Sequence, residues 1–214
     1  MKITNLLLPV VLFGCSLGLS AQVTDKDGNK YKTVQVGQQV WLTENLDVSH
    51  FRNGDPIPEA GTAEEWIKAG NEGKPAWCYY HRDSSNAVTI FNKLYNWYAV
   101  NDPRGLAPDG WHVPSVLDWA KLTDFLGGLE TAGNKMKAAG DWDGTNLSGL
   151  GFLPGGYRNN LAAFNHAGKI GSWWSATASS EGDAWSFSLV HQSGVVSKSF
   201  DSKHVGLSVR CLKD

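Results

Sequence analysis

Six histidines, His50, His81, His112, His166, His191 and His204, are the obvious candidates for metal or acid–base chemistry, and their spacing argues against it. No two stand four apart and no His-Glu-x-x-His occurs, so no helix face offers a paired imidazole set. Gly149, Gly151, Gly155 and Gly156 lack the Gly-Lys-Ser/Thr ending of a phosphate loop, and Pro154 among them reads as a bend. A Gly-x-Ser-x-Gly nucleophile elbow is missing. Asp141 and Asp143, followed by Gly144, read as a turn rather than as two carboxylates set across a cleft. Asp25, Asp27 and Asn29 resemble the start of a calcium loop, but Gly28 stands fourth where such a loop wants its glycine sixth. Calcium therefore enters only as a structural ion held by scattered Asp, Asn and carbonyl oxygens. Catalysis has no visible owner.

Three cysteines remain, and their chemistry depends on where the chain goes. Lys2 precedes an apolar run from Leu6 to Leu19, interrupted only by Pro9, Gly14, Cys15, Ser16 and Gly18. That run is too short to span a bilayer and fits a secretory leader, residues 1–21, cut after Ala21 to leave a mature domain of 22–214. The alternative processing makes Cys15 the lipid anchor of a lipoprotein, after Leu12, Phe13 and Gly14. Either route exports the chain and leaves Cys78 and Cys211. Two cysteines in an oxidising compartment suggest one disulfide, worth about 2–5 kcal/mol across so long a loop; the other reading is two buried thiols.

Composition narrows the partners. Nineteen basic side chains face 21 acidic ones in 214 residues, without a basic cluster, so no electrostatic footprint for nucleic acid exists. No later segment approaches membrane-spanning length. Ten Trp and 24 Gly stand out, the glycines above the usual share of about 7%.

The elements that would position any site follow from local pattern. Asp27-Gly28 reads as a hairpin turn between Val23 and a run through Tyr31, Val34 and Val36; Gly37-Gln38 then leads into Val40, Trp41 and Leu42. Thr62 and Glu65 form a capping box for a short helix through Trp66, Ile67 and Ala69 to Gly70. A second helix starts at Ser115, with Val116, Trp119, Leu122, Phe125 and Leu126 on one stripe and Gly127-Gly128 as its stop. A third is expected from Gly133 to Ala139, ended by Gly140. Trp185, Phe187 and Leu189 alternate with Ser186, Ser188 and Val190, the period of a half-buried strand. Strands from Val195 to Phe200 and from Val205 to Leu212 complete the chain, with Cys211 facing inward and Arg210 on the other face.

Eight segments in order carry a family resemblance: Asp27-Gly28-Asn29 through Lys32-Thr33-Val34; Val40-Trp41-Leu42-Thr43-Glu44-Asn45-Leu46; Trp77-Cys78-Tyr79-Tyr80; Leu94-Tyr95-Asn96-Trp97-Tyr98-Ala99-Val100-Asn101; Gly110-Trp111-His112-Val113-Pro114-Ser115; Leu153-Pro154-Gly155-Gly156-Tyr157-Arg158; Trp173-Trp174-Ser175; and Ser208-Val209-Arg210-Cys211. Together they resemble the Fibrobacter succinogenes major paralogous domain. The resemblance implies an α+β, C-type-lectin-like fold of twisted antiparallel sheets, two or three short helices and long loops. That fold is related to the formylglycine-generating and sulfatase-modifying enzymes.

Those enzymes use paired cysteines, which an inward Cys211 and a Cys78 inside an aromatic run do not supply. The sugar-binding Glu-Pro-Asn and Gln-Pro-Asp triplets of C-type lectins are absent. The leading expectation is an exported, non-catalytic module that binds a glycan or a surface protein. Trp173 and Trp174 are its candidate platform, because adjacent strand residues face opposite sides and one ring should reach solvent. The resemblance places Arg158, Asn159, Asn160, His191 and the strand around Ser197 nearby. The competing expectations are a divergent formylglycine-generating-type enzyme acting on a peptide or thiol, and a purely structural surface protein.

Overall fold

The computed structural model describes residues 22–80 and 91–214; the expected leader 1–21, Cys15 and His81 lie outside them. It is an α+β chain of small, mostly antiparallel sheets with short helices.

The Asp27-Gly28 turn joins β1 (Val23–Thr24) to β2 (Lys30–Tyr31), with Gly28 in the left-handed region the turn requires. Asp25 explains why this loop is a turn: its carboxylate accepts from the Asp27 and Asn29 amides, the Asn29 side chain and the Tyr31 hydroxyl. β3 (Thr33–Val36) and β4 (Gln39–Leu42) continue the meander. α1 (Ala63–Asn71) carries the expected capping box, and β5 (Trp77–Tyr79) pairs with β6 (Lys93–Tyr95). α2 (Trp97–Val100) is a single turn that the sequence reading did not include.

After β7 (Trp111–His112), Ser115 and Asp118 cap α3 (Val116–Phe125) reciprocally. Trp119, Leu122 and Leu126 are buried as the stripe demands, but Phe125 is 65% exposed. Its ring lies across Gly37, so close that a Cβ there would meet it at 2.9 Å. The following helix, α4, runs Leu129–Met136 rather than from Gly133, because Gly128 at φ 94° turns the chain directly from one helix into the next and Lys137 is already extended. β8 (Tyr157–Arg158) pairs with β9 (Phe164–Asn165), and β10 (Ile170–Ala178), β11 (Asp183–Val190) and β12 (Val196–Ser202) form a three-stranded sheet in that order.

The long C-terminal strand expected from Val205 reduces to β13 (Leu212–Lys213), which inserts between β4 and β7 in a sheet ordered β3-β4-β13-β7. Before it, isolated bridges join Leu207 to Tyr95, Gly206 to Arg158 and Ser208 to Trp173. Residues 206–212 thus thread between other elements and are covered on both faces. That placement is the reason Arg210 is buried.

Aromatic rings fill the interior. Trp119 stacks on Phe187 at 4.6 Å between centroids, and Trp173 meets Phe152 edge-on at 4.4 Å. Such pairs add about 0.5–1.5 kcal/mol each beyond area burial.

The expected disulfide does not form. Cys78 and Cys211 are both free and buried, and they sit in different parts of the core: Cys78 among Trp66, Ala76, Tyr80 and Leu94, Cys211 among Leu42, Trp174 and Val209. Burial pushes both thiols up to about 12, so neither is a thiolate at neutral pH.

Candidate functional site

Several cations are drawn into this loop-rich fold, and most hold backbone carbonyls that sheets and helices leave unpaired. Lys137 Nζ donates to the carbonyls of Val190 and Ser193, and Lys203 Nζ to those of Ser180 and Glu181. Arg158 is the fullest case. Its Nε donates to Ala162 O, Nη1 to Ala60 O, and Nη2 to Gly61 O and Thr62 O, while Trp66 and Phe164 each place a ring 4.8 Å from Cζ. Every nitrogen of that guanidinium is used.

Arg210 is buried as deeply, at 1% exposure, and is used by half. Nη1 donates to Leu42 O and Leu150 O at 3.0 Å each, and the Phe152 ring covers one face at 4.3 Å. Nε is buried without an acceptor. Trp66, Trp119 and Trp142 also have unpartnered indole N–H groups, but those are neutral; Arg210 carries the one such atom on a charged side chain among the described residues. Burial pulls its guanidinium down to about 9, with Glu44 opposing the shift.

This guanidinium lines a pocket of about 110 Å³ together with Thr43, Glu44, Asn45, Phe91, Asn92, Gly151 and Leu153. Thr43, Glu44 and Asn45 follow β4 directly. Their course is set by Leu42 N–H donating to Cys211 O and Leu46 N–H to Val209 O. Glu44 Oε2 accepts from the Lys32 amide and the Thr43 hydroxyl. Glu44 shares the pocket with Arg210 and its charge favours the charged guanidinium. Asn92 adopts a left-handed φ of 63° and donates its side-chain N–H to Asn45 O at 2.6 Å. Asn45 is spent inward: its Oδ1 accepts from Trp173 Nε1 at 2.9 Å and its Nδ2 donates to Phe91 O.

Trp173 is therefore support beneath the pocket, not a platform. The expectation that one of the paired indoles reaches solvent is corrected: Trp173 is 1% exposed and Trp174 0%. β10 is covered on both faces, so alternation sends the two rings into two different core clusters, and Trp174 Nε1 donates to Tyr95 O. The aromatic rings that do reach the surface here are Trp185, half-buried, and Phe200, 60% exposed, paired across β11 and β12 and flanked by Lys198.

The remaining candidates are not gathered around the indoles. Arg158 is the carbonyl clamp described above. Asn159 closes a turn through Oδ1 to the Leu161 and Ala163 amides, with Asn160 exposed at its tip. His191 pairs with Asp143 at 2.8 Å, and Ser197 is exposed on β12. His50 and His112 likewise pair with carboxylates, Asp27 and Asp214. Among the described residues no group of three His, Cys, Asp or Glu side chains is placed to hold a metal ion.

From sequence, Glu44 and Asn45 stand out only as motif text, Arg210 only as a residue on the outer face of the last strand, and Asn92 not at all. The available signal was Arg210 itself: a charge on the opposite face of a strand whose neighbours Val209 and Cys211 look inward has to go somewhere, and a threaded strand gives it no solvent. Segments of four resembling motifs, those around Thr43, Leu153, Trp173 and Arg210, meet at this pocket.

The family model of the Fibrobacter succinogenes major domain matches residues 34–213, and the chain belongs to that family. No curated protein and no solved structure matches it.

Proposed function

We propose that this protein is an exported, non-catalytic recognition module on a C-type-lectin-like scaffold, acting outside the cell or at its surface, and that its ligand is a glycan. The observation that carries this reading is the Arg210 pocket, a small cavity of mixed polar and apolar lining beside a buried guanidinium whose Nε has no acceptor. A pocket with an apolar wall, here Phe91 and Leu153, and a few oriented polar groups suits ligand capture. The leader supports export. The thiols speak against the enzyme alternative, since a paired-cysteine mechanism needs a reachable thiolate and both sulfurs are buried and protonated.

A glycan array probed with the wild-type protein and with Asn92→Ala tests the reading. Discrete binding is expected, weakened about tenfold or more in the variant, whose lost contact belongs to the pocket rim. A well-folded wild-type protein that binds no glycan overturns it. So does native reaction of Cys78 or Cys211 with Ellman's reagent coupled to oxidation of a peptide thiol.

A further inference from the structure

We propose that the Arg210 pocket takes a carboxylate, and that the acid it takes is the uronic acid residue of a glycan. This rests on the recognition reading above and names the ligand's chemistry. The cation is Arg210. A guanidinium is built for planar oxyanions, which it binds through parallel N–H donors. Nη1 is committed to the Leu42 and Leu150 carbonyls, whereas Nε is buried with no acceptor at all. A buried charge without a counter-ion is costly, and proteins remove that cost with a pair or a ligand. Among the described residues no carboxylate pairs with Arg210, although Glu44 lines the same pocket.

The acceptor side narrows the frame that carries the acid. Glu44 has its Oε2 bonded to the Lys32 amide and the Thr43 hydroxyl, and a carboxylate has room for further donors on Oε1. Asn92 spends its N–H on Asn45 O, which leaves its side-chain carbonyl as an acceptor. A bare anion would meet repulsion from Glu44. A ligand with a carboxylate flanked by hydroxyl donors satisfies the guanidinium and these acceptors together. About 110 Å³ admits the carboxylate end of such a residue while Phe91 and Leu153 offer an apolar wall to ring C–H groups. Arg158 supplies the internal control, because with every nitrogen bonded to carbonyls it has nothing to offer a ligand.

The experiment is calorimetric titration of the whole protein with a galacturonate oligosaccharide, a neutral glucose oligosaccharide, glycine and an acidic peptide. Wild type is compared with Glu44→Gln, Arg210→Met and Asn92→Ala. The uronate is expected to bind at least about tenfold more tightly than the neutral sugar, and Arg210→Met to abolish that preference. Glu44→Gln removes the repelling charge yet keeps an acceptor, so it is expected to tighten uronate binding about threefold or more. A merely structural Glu44 would not produce that gain, and this variant decides the matter if Arg210→Met does not fold. Uronate affinity unchanged or weakened in Glu44→Gln overturns the inference. Binding of neutral glycans alone, lost in Asn92→Ala, overturns it and leaves the recognition reading standing. Preference for glycine or the acidic peptide over the uronate overturns the sugar frame, and no binding to any glycan overturns both.

Discussion

Arg158 and Arg210 are the same residue at the same depth, 2% and 1% exposed, in the same chain. Arg158 ends β8 and turns its fork onto the loop that leads into α1, so four carbonyls from Ala60, Gly61, Thr62 and Ala162 close around it between two rings. Arg210 lies in the threaded C-terminal segment, with two carbonyls on one nitrogen, one ring and a cavity. Burial alone does not separate a saturated cation from one with a donor to spare. The count of unfilled donors does, because a saturated guanidinium has already recovered its desolvation cost and an unsaturated one has not.

Removing the Arg158 clamp has the largest effect. Arg158→Met leaves four carbonyls near α1 without their donor and is expected to destabilise by about 3–5 kcal/mol. Urea unfolding measures it. A loss under about 1 kcal/mol would mean water replaces the guanidinium freely and that the Arg158 contacts are not the structural device described.

Arg210→Met is expected to cost less, about 1–2 kcal/mol, because the lost carbonyl bonds are offset by removing a charge that has no counter-ion. Measured in the same denaturant series, a cost equal to that of Arg158→Met would erase the distinction between the two sites.

Much of the scaffold was legible in local signals. Asp27-Gly28 and the capping boxes at Thr62 and Ser115 each depend on neighbours within four residues, and each appears as read; the strand from Trp185 to Leu189 also forms, but its alternation is broken, with Trp185 half-buried and Ser186 buried. The site was not, because it depends on which segments are threaded between others. Strand alternation predicts two faces for Trp173 and Trp174 correctly; it says nothing about whether the outer face meets water, and here it meets a second core cluster. The disulfide expectation fails for the same reason, and the alternative of two buried thiols holds. Two sulfurs on inward faces share a disulfide only if they share a core region, and Cys78 and Cys211 do not.

A smaller effect sharpens the clamp side. Thr62 both caps α1, accepting from the Glu65 amide, and presents its carbonyl to Arg158. Thr62→Ala deletes only the cap and is expected to cost about 1 kcal/mol. Combined with Arg158→Met, the two losses should fall short of their sum, since both loosen the same loop. Strict additivity in a double-mutant cycle would show that cap and clamp act independently.

The smallest effect isolates the charge on Arg210. Its folded value, pulled down to about 9, lies below the ordinary arginine value of 12.5, so between them the unfolded chain binds more protons and stability rises with pH. Cys78 and Cys211 run the other way: their folded values near 12 exceed the ordinary 9.0, so the stability they contribute falls as pH rises above that point. Wild type alone therefore shows a mixture, and the informative quantity is wild type minus Arg210→Met, in which the thiols largely cancel. That difference is expected to shift in favour of wild type by somewhat under about 1 kcal/mol between pH 8 and 9.5. A difference that stays flat would mean the guanidinium finds a counter-charge in solution, and with it the contrast to Arg158 would disappear. If the shift is present and a uronate abolishes it, the missing partner of Arg210 is the ligand's carboxylate, since an anion bound at the guanidinium restores the proton's hold and moves the transition to higher pH.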